Sequence, residues 1–119
     1  DVAIITGGRT EAVRKRFEGL GVKDLYLGAA VKISVYDEWL AKRGLKDEEV
    51  AFMGDDIPDM EVMRRVGLAA APADACADII DVADYVSPCA GGMGGARDLI
   101  EQVLRARGDW MKDRHAFGW

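Results

Sequence analysis

Short apolar runs alternate with segments of helical spacing along the whole chain. Five runs are apolar and bounded by turn residues, which predicts strands: Val2–Ile5, Asp24–Leu27, Glu49–Met53, Leu68–Ala71 and Asp84–Val86. Between and after them, apolar residues recur every three or four positions, which predicts helices: Thr10–Leu20, Val31–Arg43, Asp59–Arg65, Ala73–Val82 and Ala96–Arg107. The pattern is that of an α/β protein.

Strands that are separated by helices favour parallel βαβ units, because each connection must cross a face of the sheet. The fold class predicted is therefore an open, Rossmann-like parallel sheet with helices on both faces. The strand runs are continuous rather than alternating, which predicts burial on both faces, and we expect Glu49–Met53 to be the centre strand. Residues 1–119 form a single predicted domain, with 108–119 as a tail.

Composition and charge narrow the classes of protein to which the chain could belong. Half of the 119 residues are apolar, which is enough for one domain with a core. The net charge of −5, from 16 basic and 21 acidic residues, argues against general attraction to nucleic acid or anionic membranes. No stretch approaches the roughly 18 apolar residues of a membrane helix and no signal peptide opens the chain, so we expect a cytoplasmic protein. Cys76 and Cys89 lack ligand spacing and are expected to be small buried apolar residues.

An acidic loop follows the third predicted strand. Asp55, Asp56 and Asp59 place three carboxylates within five positions, and such crowding is unfavourable unless a cation offsets it. Oxygen ligands of this kind suit Mg²⁺, so the loop is a candidate metal site. The alternative is a solvated turn that caps the helix beginning at Asp59, because Asp and Pro are favoured at helix starts.

Two further polar groups follow other predicted strands. Thr6-Gly7-Gly8-Arg9 forms a junction between strand and helix, where free backbone N–H groups favour an anion such as phosphate. Lys32 lies early in the next helix, where its ammonium group could neutralise a phosphate and a nearby aspartate. Taken singly, Thr6 could be a turn residue and Lys32 a solvated one. In a parallel sheet, however, all three sites should converge on one edge.

These motifs together resemble the haloacid-dehalogenase superfamily of phosphatases. Ile4-Ile5-Thr6-Gly7-Gly8, the later Lys32 and Gly54-Asp55-Asp56-Ile57-Pro58-Asp59 look like its motifs two, three and four. Within that superfamily, the chain is similar to the cap-less 3-deoxy-D-manno-octulosonate 8-phosphate phosphatases over four segments that span nearly its whole length. They are Ala3–Arg16, Leu27–Ile33, Val50–Met63 and Gly91–Asp98.

The resemblance implies a role for each motif residue. Thr6 would bind the phosphoryl group, Lys32 would stabilise it and orient the nucleophile, Asp55 would ligate Mg²⁺, and Asp56 and Asp59 would support the metal or the lysine. The substrate-binding residues implied are Thr6, Gly7, Gly8, Arg9, Lys32 and Arg97. The implied reaction is Mg²⁺-dependent hydrolysis of a phosphorylated sugar acid through an aspartyl-phosphate, in lipopolysaccharide biosynthesis.

The chain departs from the family pattern in two places. The family's nucleophile motif, Asp-x-Asp, does not occur before Thr6, and Asp1 precedes its strand and would lie at the opposite edge. We therefore expect that the nucleophile strand lies outside these 119 residues and that the isolated chain is inactive. In the glycine loop, Met93 stands where the family usually has arginine, although Arg97 matches the later arginine.

The aromatic tail bears on assembly. These phosphatases form tetramers in which a neighbour helps to close the active site, so the resemblance implies a homotetramer. Trp110, Phe117 and Trp119 would suit such a contact, because exposed apolar residues often mark an interface. The alternative is that the tail folds back on its own helix. His115, an isolated histidine, is expected to be a surface or contact residue.

Two other classes of function fit parts of the sequence. A signalling receiver domain also gathers acids, a threonine and a lysine at a sheet edge, but there the acids precede the threonine and lysine in the chain. Here Thr6 and Lys32 both precede the acids, which begin at Asp55. The chain could also be a non-catalytic assembly module, or the C-terminal part of an acylneuraminate cytidylyltransferase fusion, which resembles the same phosphatases.

Overall fold

Strands and helices alternate in the computed structural model, which describes residues 1–113. The strands are β1 (Ala3–Thr6), β2 (Asp24–Leu27), β3 (Ala51–Met53), β4 (Leu68–Ala71) and β5 (Tyr85–Val86). The helices are α1 (Glu11–Gly19), α2 (Lys32–Arg43), α3 (Met60–Met63), α4 (Ala77–Val82) and α5 (Gly95–Ala106). Short 3₁₀ helices at Asp47–Glu49 and Ile57–Asp59 precede β3 and α3. The predicted α/β class is confirmed.

Local sequence explains the ends of several elements. Thr10 is extended and begins α1 as its N-cap, as the helix prediction requires, although its side chain makes no capping hydrogen bond. Gly44 ends α2 in the left-handed conformation, with φ of 64°, which glycine adopts without strain. Lys32 is the first residue of α2, so its position follows directly from where β2 and its loop end.

The parallel strands form two groups rather than one sheet. β1 pairs with β2, with Ala3 opposite Asp24, and the second group has the order β3-β4-β5. The prediction that the third strand is central is therefore wrong: β4 lies between β3 and β5. Burial on both faces also holds only for β4, whose alanines are buried, while all of β1 is half-buried.

Several predicted elements are shorter in the structure. Glu49 belongs to a 3₁₀ helix rather than to β3, and α3 covers only Met60–Met63. The helix predicted from Ala73 begins at Ala77 instead. The reason is tertiary: the N–H of Ala73 donates to the carbonyl of Cys89, and the N–H of Cys76 donates to the carbonyl of Asp55, so these groups are held outside any helix.

A single core joins the two strand groups. Most of its buried members come from α2, α3, β4 and α4 and include Tyr36, Trp39, Val62 and Ile79. Ala3 and Ile5 of β1 pack against the same cluster, so β1 and β2 are attached to the β3-β4-β5 group through side chains. Cys76 and Cys89 are free thiols and only half-buried, not fully buried as predicted. Within residues 1–113, no helix has the length and apolar character needed to cross a membrane.

The start of the tail lies against α5. The N–H of Trp110 donates to the carbonyl of Leu104, and the guanidinium of Arg105 lies 5.2 Å from the centre of the Trp110 ring. For Trp110 the structure thus shows the fold-back arrangement. Phe117, Trp119 and His115 lie outside the described residues, so the expected contact through the tail stays a prediction.

Candidate active site

The groups singled out in the sequence meet where β1, β2 and β3 end. Gly7 follows β1, Lys32 opens α2 after the β2 loop, and the acidic loop follows β3. They line an open pocket of about 300 Å³, whose walls are Gly7, Ala29, Ala30, Lys32, Asp55, Asp56, Pro58 and Asp59. Residues more than 45 positions apart in the chain thus line one pocket, as the predicted convergence of these groups on one edge of the sheet requires.

Asp59 is the organising residue of the pocket. Its side chain is only 2% exposed, and Oδ1 accepts a hydrogen bond from Lys32 Nζ at 2.5 Å. Oδ2 accepts from the backbone N–H groups of Asp55, at 3.1 Å, and Asp56, at 3.3 Å. One buried carboxylate therefore fixes both the ammonium group and the backbone that carries the other two acids.

Local chemistry turns Asp59 inward. Asp56 is the N-cap of the 3₁₀ helix Ile57–Asp59, and its carboxylate accepts from the N–H of Ile57 at 2.8 Å. Gly54 leaves the space that Asp59 occupies, because a Cβ at Gly54 would lie 2.4 Å from Asp59 Cβ and 2.9 Å from Met63 Sδ. Glycine is thus required at position 54 because the side chains of Asp59 and Met63 approach its backbone so closely.

Thr6 holds the loop at the end of β1. Its Oγ1 accepts a hydrogen bond from the N–H of Gly8 at 3.1 Å, and its carbonyl accepts from the N–H of Ala29 at 2.9 Å. The hydroxyl proton of Thr6 stays available for another acceptor. Arg9 crosses over Gly28, where an added Cβ would lie 2.6 Å from Arg9 Nε, so Arg9 follows the rim formed by the β1 and β2 loops.

Asp55 and Asp56 are the residues suited to hold a cation. Both are exposed, and both line the pocket, whereas each oxygen of Asp59 already accepts a hydrogen bond. No group of three or more His, Cys, Asp or Glu side chains with the geometry of a metal site occurs within residues 1–113. One or two carboxylates nevertheless fit Mg²⁺, which in proteins commonly keeps several waters and completes its shell with substrate phosphate.

Known proteins are similar to this chain in sequence and fold, although no protein-family model matches it. The Escherichia coli protein named 3-deoxy-D-manno-octulosonate 8-phosphate phosphatase KdsC is 42% identical over 108 residues, which are 91% of this chain and 57% of that protein. The structure of the phosphatase of that name from Yersinia pestis matches with a TM-score of 0.92 and 39% identity, over 94% of this chain and 60% of its own. The homologues of this chain are KdsC phosphatases of the haloacid-dehalogenase superfamily.

This result confirms the resemblance inferred from the motifs. A third KdsC-type phosphatase, from Moraxella catarrhalis, was solved in complex with a magnesium ion, a phosphate ion and a KDO molecule; it matches with a TM-score of 0.88 and 30% identity over 91% of this chain and 62% of its own. The chain spans 57% to 62% of the lengths of these three relatives.

Five residues tied to the KdsC resemblance are absent from the walls of this pocket: Thr6, Gly8 and Arg9, which are close to Gly7 in the chain, and Met93 and Arg97. Arg97 is exposed on the first turn of α5, and Met93, at the tip of the glycine loop, is 78% exposed. The loop itself is held at one side, where the N–H of Gly91 donates to Asp74 Oδ1 at 2.7 Å. A role for Arg97 in substrate contact therefore stays a prediction.

Sequence reasoning missed a cluster of side chains that anchors the glycine loop. The hydroxyls of Tyr85 and Ser87 donate to Asp98 Oδ2 at 2.6 and 2.7 Å, and the N–H of Cys89 donates to Ser87 Oγ. The hydrogen bond from Tyr85 lowers the pKa of Asp98, and the same carboxylate raises the pKa of Tyr85. The only sequence signal was a pair of hydroxyl residues, Tyr85 in a short strand and Ser87 just after it, followed by an aspartate on the next helix.

Proposed function

We propose that this chain is the larger part of a Mg²⁺-dependent phosphatase that releases phosphate from a phosphorylated sugar acid, 3-deoxy-D-manno-octulosonate 8-phosphate, in lipopolysaccharide biosynthesis. The observation that carries the proposal is the double engagement of Asp59, which holds Lys32 and the Asp55–Asp56 backbone around one pocket. The names of the KdsC relatives and the ligands of the Moraxella catarrhalis structure supply the substrate class.

Each group in or beside the pocket has a task in phosphoryl transfer. Lys32 places a positive charge beside the phosphoryl oxygens, and Asp59 keeps that charge oriented. Thr6 offers its hydroxyl proton to the same oxygens, and the Gly7–Gly8 backbone lets the phosphate approach closely. Asp55, with Asp56 beside it, would hold Mg²⁺, which offsets the charge that develops on the transferring group.

The attacking carboxylate comes, in this proposal, from a segment outside the 119 residues. Asp55 is a poor nucleophile while it ligates a metal, and no Asp-x-Asp motif precedes Thr6. The sheet has room for a further strand, since within residues 1–113 β1 and β3 each have a strand partner on one side only. We therefore propose that an aspartyl-phosphate forms on that segment and that the isolated chain turns over negligible substrate.

The proposal also covers organisation and assembly. Residues 1–119 would be one phosphatase domain with no cap, and the tail from residue 108 would contribute to a homotetramer in the cytoplasm. Trp110 packs on α5 and so is a weaker candidate for that contact than the rest of the tail. Sedimentation of the full-length gene product tests this part: a stable monomer at micromolar concentration would exclude it.

Phosphate release by the full-length gene product tests the function directly. With 3-deoxy-D-manno-octulosonate 8-phosphate and Mg²⁺, Asp55→Asn should lower kcat by at least about 100-fold, because it removes a metal ligand. Asp78→Asn, which changes an exposed aspartate on α4, is the matched control and should keep full activity. Near-normal kcat in Asp55→Asn would refute the metal assignment, and absence of phosphate release by the unaltered protein would favour a non-catalytic module.

A further inference from the structure

Four side chains connect α2 to the turn after α3, and we call this cluster the Tyr36 brace. It consists of Tyr36 and Asp37 on α2, Asp47 in the 3₁₀ helix before β3, and Arg65 just after α3. Arg65 Nη1 donates to Asp37 Oδ1 at 2.6 Å, and Arg65 Nη2 donates to Asp47 Oδ1 at 3.2 Å. The Tyr36 hydroxyl donates to that same Asp47 oxygen at 2.8 Å, and the Arg65 guanidinium lies 5.2 Å from the Tyr36 ring centre.

The brace is itself held rigidly to the turn between α3 and β4. The N–H of Gly67 donates to the carbonyl of Asp47 at 2.8 Å. A Cβ at Gly67 would lie 2.4 Å from the carbonyl oxygen of Glu48, so these two backbone segments touch. Arg65 and Asp47 therefore cannot separate without breaking backbone contacts, and together they present a fixed acceptor and a fixed cation to α2.

The same helix pair carries the reactive groups. Lys32 lies one turn before Tyr36 on α2, and Asp59 lies directly before α3, about one and a half turns before Arg65. Residues four apart on a helix share a face, so α2 meets the α3 region at two points on that face, about 6 Å apart along its axis. The first point is the Lys32–Asp59 pair, and the second is the brace.

We infer that the Tyr36 brace, with Arg65 as its central residue, positions Lys32 by fixing α2 against α3, so that the ammonium group remains on Asp59 and directed into the pocket. This inference rests on the proposed function for its catalytic consequence. A single contact between two helices permits rotation about it, whereas a second contact one turn away removes that freedom. Tyr36, at 1% exposure, buries the connection in the core.

Methylation of lysine by formaldehyde and a hydride reductant, followed by mass spectrometry, tests the inference on this chain without any need for activity. The reagent requires a free, accessible amine, and Lys32 is only 17% exposed and paired. Arg65→Met should raise the methylation rate of Lys32, relative to that of the exposed Lys15, by about threefold or more. The substitution removes the guanidinium group and thus its ion pairs with both Asp37 and Asp47. Tyr36→Phe removes one hydrogen bond and should produce a smaller increase.

The matched control is Arg105→Met on α5. Arg105 also pairs with a carboxylate, Glu101 at 2.7 Å, and also stacks on an aromatic ring, so it copies the chemistry of Arg65 at another place. Its substitution should leave the Lys32 rate unchanged, and Arg65→Lys should restore part of the protection. An unchanged Lys32 rate in a folded Arg65→Met variant would overturn the inference; if that variant fails to fold, an unchanged rate in Tyr36→Phe would do so.

The catalytic consequence is tested separately in the full-length gene product. Arg65→Met should lower kcat by about threefold to tenfold with little change in KM, because a displaced Lys32 loses contact with the transition state more than with the bound substrate. Arg105→Met should change neither. If the unaltered protein releases no phosphate, the proposed function fails, while the methylation result still decides whether the brace positions Lys32.

Discussion

The pair formed by Lys32 and Asp59 should show strong energetic coupling. Lys32→Met would leave the Asp59 carboxylate, which is 2% exposed, with backbone N–H donors but no compensating charge. Removing one partner of a buried ion pair costs about 3 to 5 kcal/mol. We expect the lower end, about 3 kcal/mol in the free energy of unfolding, because Lys32 keeps some contact with solvent.

Asp59→Asn should be similarly costly for a different reason. The amide can direct its oxygen either to the two N–H donors or to Lys32, and in both cases its NH₂ group faces a donor. An unsatisfied buried group of this kind costs about 1 to 3 kcal/mol. In the double variant the Met side chain presents no donor to the amide, so the total loss should stay near 3 kcal/mol rather than the sum of about 5, which gives a coupling energy of about 2 kcal/mol.

Urea unfolding at neutral pH, followed by circular dichroism for the four proteins of the cycle, measures this coupling. An exposed pair on α1, Arg14 and Glu18 with 3.8 Å between the charged atoms, supplies the matched control. Its coupling should stay below about 0.5 kcal/mol. If the losses for Lys32 and Asp59 simply add, the carboxylate does not hold the ammonium group, and our account of the pocket is refuted.

Two further substitutions test the neighbourhood of the site and the anchoring of α2. Gly54→Ala would place a Cβ 2.4 Å from Asp59 Cβ, so it should lower both the urea midpoint and the Mg²⁺ affinity measured by calorimetry. Asp24 is buried, and hydrogen bonds from Arg43 and then Trp39 lower its pKa to about 2. The ionised Asp24 carboxylate stabilises the folded protein above about pH 4, and this stabilisation is lost as the pH falls towards 2. In urea titrations, Asp24→Asn should therefore be less stable than the unaltered protein at pH 7, and the difference in free energy of unfolding should shrink in acid.

The local features of this chain could be predicted because each has a short-range cause. The limits of β2 follow from an apolar run that ends at a glycine, and Gly44 marks the end of α2. The position of Lys32 at the opening of α2 and of the acids after β3 then followed from element order alone. These predictions needed no knowledge of what each segment touches.

Other features depend on contacts between distant residues, and the sequence contains no local signal for them. The helical spacing of residues 73–76 was overridden because Ala73 and Cys76 bond to other loops. The Tyr36 brace joins Asp37, Asp47 and Arg65, which share no element and no common spacing. The resemblance implied that Asp56 and Asp59 support the metal or the lysine, but three acids in one loop do not reveal which one turns inward.

The acidic loop owes its shape to protein contacts on three sides. The N–H of Gly54 donates to the carbonyl of Ala70 in β4, the carbonyl of Asp55 accepts from the N–H of Cys76 before α4, and Asp59 accepts from the loop's own backbone. Asp55 is therefore positioned by elements that make up the core, and an ion that binds there meets a carboxylate already in place. Because these anchors are backbone groups, substitutions at Cys76 or Ala70 that preserve the fold should leave the proposed metal site intact, whereas the loss of Asp59 should not.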